Sequence, residues 1–167
     1  YINDVRLEIT CGEAPYLVSR YDTVSGYMIE LSQRIGLLDR KLRVVNENTH
    51  TEKEWLKWAI KSFQNIYGYD WQGDNVLLAR ENLLFTFIDY YKAKFDKEPT
   101  IDILRKIADI LSWNIWQMDG LKFVIPESCK EVEESQLTLF DMNTEKHPCP
   151  GCAKNDPYAH TGIYCII

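Results

Sequence analysis

Gly73-DNVLLARENLLFTFIDYYKAK-Phe95 is the stretch that decides the fold. Val76, Leu77, Leu83, Leu84, Phe87, Ile88 and Tyr91 recur at helical spacing and leave little polar face. Such a helix belongs at the centre of a fold rather than on its rim. Asp74 is the expected N-cap, and Asp96-Lys97-Glu98-Pro99 ends the run, because the residue before proline is pushed out of helical geometry. Asn75, Arg80, Asn82 and Asp89 interrupt the apolar pattern and are expected to satisfy one another or to sit at a helix interface.

Working outward, Thr51 followed by Glu54 is a capping-box pattern opening a second helix. Its stripe is Trp55, Ala59, Phe63, Ile66 and Tyr67, with Gly68 as the stop. Before it, from about Ile29, Ile35, Leu38, Leu42 and Val45 mark another helix; its Arg34, Arg40, Lys41 and Arg43 read as a solvated basic face. After the central helix, Thr100 caps a fourth, with Ile101, Leu104, Ala108, Leu111, Ile115 and Met118 on one stripe and Gly120 at its end. Trp113 and Trp116 fall at core spacing. Residues 1–29 are irregular, apart from a short strand signal where Val5, Leu7 and Ile9 alternate with Arg6 and Glu8. The expected fold class is mainly α: an antiparallel helical bundle over residues 1–126 with a short irregular or strand-like N-terminal segment and a small C-terminal zinc module.

Residues 127–146 change character. Glu127, Glu131, Glu133, Glu134, Asp141 and Glu145 face few basic residues, which suits an acidic linker with Leu137, Leu139 and Phe140 as docking residues. Residues 147–167 form the expected zinc module. His147-Pro-Cys149-Pro-Gly-Cys152, then His160 and Cys165, place soft and borderline donors at the spacing a tetrahedral zinc ion needs. The expected ligands are Cys149, Cys152, His160 and Cys165, with Cys129 or His147 as alternatives to His160. Four protein ligands close the ion to substrate, so the zinc is structural. Cys11, remote in sequence, reads as a buried free thiol.

With 167 residues and 46% hydrophobic content the chain can build one core. A net charge of −6 argues against direct DNA binding, which needs a surplus of Lys and Arg. It favours a protein partner whose own surface is basic and holds nucleic acid. No apolar run spans a membrane, no signal peptide is visible, and the thiol pattern is metal-like, so the expected location is the cytoplasm of a host bacterial cell. The chain starts at Tyr1, and further residues are expected before it. No nucleophile stands beside a histidine, and neither a Gly-x-Gly-x-x-Gly turn nor a phosphate loop is present, so no catalytic residue is assigned and no enzyme is expected.

Arg34-IGLLDRKLRVVNE-Asn48, Trp71-QGD-Asn75 and Ser112-WNIWQMD-Gly120 resemble a family carried on bacterial mobile elements. Its members are described as restriction–modification methylase subunits and are similar to an internal segment of adenine-N6 DNA methyltransferases. The resemblance covers nearly the whole chain. It implies a glycine-rich S-adenosylmethionine turn and an Asn/Asp-Pro-Pro-Tyr/Phe tetrapeptide. Here Cys11-Gly12-Glu13 is not such a turn, and Asn155-Asp156-Pro157-Tyr158 lacks the first proline. The expectation is a non-catalytic, zinc-stabilised interaction protein of a phage or mobile element. Its expected role is to inhibit a host defence nuclease, such as the type II RNA-guided CRISPR nuclease, by blocking DNA loading. Glu127, Glu131, Glu133 and Glu134 would contact that partner. The alternative is an accessory subunit of a DNA adenine methyltransferase.

Overall fold

The computed structural model describes residues 1–138 and 141–165, and only the backbone of residues 134–138 and 141–145. Five α-helices are described, together with a strand at Arg6–Ile9, where the sequence carries its strand signal, and further strands that the helical reading left out. The elements run β1 (Arg6–Ile9), a 3-10 turn (Leu31–Gln33), α1 (Leu37–Asn48), α2 (Glu52–Gln64), β2 (Ile66–Asp70), α3 (Gly73–Phe95), α4 (Ile101–Asn114), β3 (Ile115–Gln117), β4 (Val132–Thr138), β5 (Asp141–His147) and α5 (Pro150–Lys154). The chain forms two compact units, Tyr1–Trp116 and Gln117–Ile167.

The simple four-helix bundle is corrected in the first unit. β1 and β2 pair in parallel, with Arg6 opposite Ile66 and Ile9 opposite Tyr69, and β3 lies on the other side of β2. Parallel neighbours need a long crossover, which α1 and α2 supply. Ile66 and Tyr67 therefore leave the α2 stripe. Asn65 ends that helix, its side-chain amide donating to Lys61 O at 2.8 Å. The β-branched and aromatic run that follows then extends. Gly68 lets the strands close up, since a Cβ there would lie 3.2 Å from Ile115 Cδ1 and 3.3 Å from Cys11 Sγ. Likewise α4 stops at Asn114, whose side chain donates to Phe63 O and Ile66 O at 3.0 Å each.

α3 starts at Gly73, with Gln72 rather than Asp74 at the cap position. The core centres on fully buried Trp55, whose ring meets Phe87, Tyr91 and Phe95 at 5.5, 5.6 and 5.7 Å. The polar residues of α3 find partners on other elements. Arg80 donates to Ile115 O at 2.9 Å, and Asn82 donates to Glu13 O. Asp89 takes both Arg20 (3.1 Å) and Arg34 (2.8 Å), two guanidiniums that are almost wholly buried.

The basic face expected on α1 is overturned in part. Lys41 is 1% exposed, its ammonium donating to the carbonyls of Ile2, Asp4 and Asn65. Burial, then the charge of Arg6, push its pKa down to about 8. Trp113 is 82% exposed rather than core.

In the second unit β4 and β5 pair antiparallel, Val132 opposite His147 and Thr138 opposite Asp141. The segment read as an acidic linker thus contains a hairpin. Leu139 and Phe140, and the side chain of Leu137, lie outside what is described. Ile125 N donates to Ile163 O and Cys165 N to Phe123 O, both at 2.9 Å, so the arm before Cys129 runs beside the arm after His160. No described helix is long and apolar enough to cross a membrane.

Candidate functional site

Cys129, Cys149, Cys152 and His160 bring three sulfurs and one imidazole nitrogen within 4.8 Å of one another. The sulfurs stand 3.5, 3.6 and 3.6 Å from His160 Nδ1. A near-equal set of this kind is compatible with one metal ion at its centre. Three of the four residues expected as ligands, Cys149, Cys152 and His160, stand in this cluster, and Cys129 stands there in place of Cys165. Cys165 lies outside the cluster, its thiol 3.8 Å from Gln117 O. Cys129 supplies the donor instead, and His160, which Cys129 was weighed to replace, stays. The other alternative ligand, His147, ends β5 and is not among the four.

Local geometry explains the assembly. Pro150 opens α5 immediately after Cys149, where its missing N–H costs nothing. Gly151 meets His160 so closely that a Cβ would lie 2.7 Å from the ring Cγ and Nδ1. Gly162 does the same for the other arm, where a Cβ would stand 3.1 Å from Cys129 Sγ. Thr161 N donates to Cys149 Sγ at 3.2 Å. Thr161 Oγ1 accepts from Lys130 N and donates to Lys130 O, fastening the residue after His160 to the residue after Cys129. His160 N donates to Tyr164 Oη at 2.8 Å.

Burial alone would raise the Cys149 thiol. Hydrogen bonds from Thr161, the Cys152 amide and His160 outweigh it and bring the pKa down to about 5. Burial and the neighbouring Cys152 and Cys149 push Cys129 up to about 11. These hydrogen bonds favour the thiolate of Cys149, the form a metal takes. Glu127, Glu131 and Glu133 are exposed, and Glu133 stands 3.9 Å from Lys146; the Glu134 side chain lies outside what is described.

A second cluster sits at the carboxyl ends of β1 and β2. Cys11 N donates to Tyr69 O at 2.8 Å, and Gly12 N donates to Asp70 Oδ2 at 2.9 Å. Asp70 Oδ1 accepts from Gln72 N and Asn75 Nδ2. Burial works against the Asp70 carboxylate, but these hydrogen bonds lower its pKa, so it stays ionised. Thr10, Gly12 and Ala14 all have positive φ, of 52, 52 and 65°. Left-handed residues at this density concentrate at functional sites. A Cβ on Gly12 would meet nothing within 4 Å, so the backbone there faces open space. Cys11 is buried, as expected, and burial, then Glu8 and Asp70, push its thiol up to about 12.

Sequence reasoning did not take Cys11-Gly12-Glu13 as a cofactor turn. The legible part of the signal was a strand pattern ending at Ile9 and a glycine at 12; the second strand, which ends in Asp70 just before a helix, is seen only in the structure.

Glu8 shapes the same loop by accepting from Leu17 N at 3.1 Å and Tyr16 N at 3.4 Å. Burial raises its pKa from 4.5 to about 7 despite those bonds. The folded state therefore holds the proton more tightly than the unfolded chain. Its contribution is fully present below pH 4.5 and is lost as pH rises to about 7. Urea titrations of wild type should show stability falling across this window relative to Glu8→Gln, by up to about 3 kcal/mol. Parallel profiles would show that Glu8 does not titrate there.

No protein-family model, no curated protein and no solved structure matches the chain.

Proposed function

We propose that the first unit binds a nucleoside cofactor over Gly12 and Asp70, and that the chain serves an adenine methyltransferase as its S-adenosylmethionine-binding subunit. The observation that carries this reading is the hydrogen bond from Gly12 N to Asp70 Oδ2 across the ends of two parallel strands. Ligands of parallel sheets sit outside the carboxyl ends of the strands, where a glycine admits the close approach and an acidic residue takes the ribose hydroxyls. Asp70 Oδ2 accepts from Gly12 N, and Trp71, the residue after Asp70, is half-exposed. The resemblance to methylase subunits selects S-adenosylmethionine among such nucleosides. When bound, that cofactor supplies an electrophilic methyl group. This chain's residues hold its nucleoside half. Asn155-Asp156-Pro157-Tyr158 lies between two of the metal-cluster residues, where Asp156 Oδ1 accepts from Tyr158 N, and no methyl-transfer step is assigned to it.

The second unit is fastened by a structural zinc ion on Cys129, Cys149, Cys152 and His160. Bonds of about 2.3 Å to sulfur and about 2.0 Å to nitrogen give a tetrahedron whose S–N edge is about 3.5 Å. That edge fits the observed 3.5–3.6 Å.

Calorimetric titration with S-adenosylhomocysteine and S-adenosylmethionine tests the cofactor reading. Wild type should bind at micromolar concentration. Gly12→Val should weaken binding about 100-fold, or about 3 kcal/mol, and Trp71→Ala should weaken it while retaining the wild-type circular dichroism. Wild type that takes up neither nucleoside at millimolar concentration sinks the reading. The second reading, an inhibitor of a nucleic-acid-targeting nuclease, is favoured by exposed Glu127, Glu131 and Glu133. It requires the guide-loaded nuclease to lose target DNA when this protein is added.

A further inference from the structure

The metal cluster of the second unit is covered unevenly. Cys149 is 4% and His160 8% exposed, and Cys129 is partly buried, whereas Cys152 is exposed. Backbone screens the two covered sulfurs. Thr161 N donates to Cys149 Sγ, and Gly162 comes so near that a Cβ there would stand 3.1 Å from Cys129 Sγ. Oxidation of cysteine follows thiolate character and exposure, so a small oxidant meets Cys152 first. The backbone also sets which sulfur answers. Cys149 stands at the cap position of α5, and Cys152 lies three residues on, in the same turn. The Cys152 amide donates to Cys149 Sγ, which holds that sulfur against the residue that is oxidised. The cluster atoms lie within 4.8 Å of one another, and a disulfide bond of about 2 Å closes with a small movement inside one turn. Cys129 belongs to the other arm, which Lys130 and Thr161 tie in place.

We propose that Cys152 is a peroxide-sensitive site, and that its oxidation closes a Cys149–Cys152 disulfide which empties the metal cluster. This inference rests on the zinc reading above. The Cys152 thiolate attacks one oxygen of hydrogen peroxide. An S–O bond forms, the O–O bond breaks and hydroxide leaves, giving a sulfenic acid. The Cys149 thiolate then attacks the Cys152 sulfur. The S–S bond forms, the S–O bond breaks and a second hydroxide leaves. The two thiolates give up two electrons, one peroxide takes them, and the two hydroxides draw two protons from solvent to become water. Cys129 and His160 are then the donors left, too few for a tetrahedral ion. The second unit loses its fastening, and a dithiol reductant with zinc restores it.

Millimolar hydrogen peroxide added to the zinc-loaded full chain tests the proposal, with a chromogenic chelator following the zinc. The tryptic peptide 147–154 holds both cysteines, so its disulfide shows as the loss of two hydrogens by mass spectrometry. Zinc release should match the formation of that disulfide one for one, in wild type and in Cys165→Ser. Dithiothreitol with zinc should reverse both. Cys152→His removes the exposed sulfur but keeps a donor that zinc accepts. It should release zinc at least about tenfold more slowly, because attack follows exposure. Cys129→His should release it at the wild-type rate. Should either histidine variant take up no zinc, the wild-type peptide mass decides alone. Zinc lost without the Cys149–Cys152 disulfide, or a disulfide made to Cys129 instead, overturns the proposal. So does a loaded chain that keeps its zinc in peroxide, or a Cys152→His chain that loses it as fast as wild type. A chain that holds no zinc before peroxide is added sinks the metal reading itself, and this proposal with it.

Discussion

Cys149→Ser should release the metal and unfold the second unit, while Cys165→Ser should do neither. The apolar core of that unit is small: Met118, Val124 and Cys149 are its buried hydrophobic residues among those described. So little buried surface does not by itself hold a segment of this length, the situation in which small units use a metal in place of a core. Structural zinc contributes about 10–16 kcal/mol of apparent binding free energy at neutral pH, and in such small units this is folding free energy. Removing one thiolate forfeits most of it. Elemental analysis should find about one zinc per wild-type chain, a stoichiometry set by four protein ligands. It should find almost none for Cys149→Ser, Cys152→Ser or Cys129→Ser. Amide exchange across residues 117–165 should accelerate in step, whereas the helices of the first unit should keep their protection. A chelator should reproduce the effect on wild type. The decisive contrast is between Cys129 and Cys165. If Cys165→Ser lost the metal and Cys129→Ser retained it, the proposed ligand set would be wrong.

The second large effect belongs to Asp89→Ala in the first unit. Arg20 and Arg34 have side chains only 7 and 4% exposed, and one carboxylate serves both. Arg20 lies 5.1 Å from the Phe85 ring and 5.3 Å from the Tyr21 ring, so its guanidinium has no easy path back to water. Arg34 also donates to Ile29 O at 3.1 Å. Taking Asp89 away leaves two buried cations without the carboxylate to which both hydrogen-bond. Breaking a buried ion pair from one side costs about 3–5 kcal/mol, far more than a surface pair, because the remaining charge cannot be resolvated. Chemical denaturation should show a loss of that size with little dependence on salt. A loss below about 1 kcal/mol, the range of surface pairs, would mean that the two arginines reach solvent when Asp89 is gone. The double variant Arg20→Met with Asp89→Ala should recover part of the stability, since it removes one of the stranded charges.

The central helix was legible because its apolar pattern runs for more than six turns, long enough for period 3.6 to be unambiguous. The start of α2 was legible too, and Thr51 Oγ1 does accept from Glu54 N. β2 and β3 were not. Ile66 and Tyr67 fall three and four residues after Phe63, and Ile115 falls four after Leu111, so each strand continued a helical stripe in phase. Strands of five and three residues are too short to show their own period. What ends the helices is tertiary, as when the Asn114 side chain reaches back to Phe63 O and Ile66 O.

The metal site was legible to the extent that local spacing defines it. Cys149 and Cys152 sit on one turn, and Gly151 signals a close approach. The choice of Cys129 over Cys165 depends on the pairing of two arms that meet through Ile125 and Ile163, and no spacing rule reports that. Arg34 and Lys41 were misjudged for a related reason. A charged residue on a helix reads as solvated unless its partners are known, and theirs are Asp89 and three backbone carbonyls from distant segments.

Those three carbonyls give Lys41 a use as a reporter. Most of the chain's lysines will acylate quickly with an amine-directed reagent, as open amines do. Lys41 has to leave its carbonyl cage first, and doing so frees residues 2–4 from the strand junction at Asn65. Its labelling rate by mass spectrometry therefore counts how often the N-terminal clasp opens, residue-resolved and without unfolding the rest of the molecule.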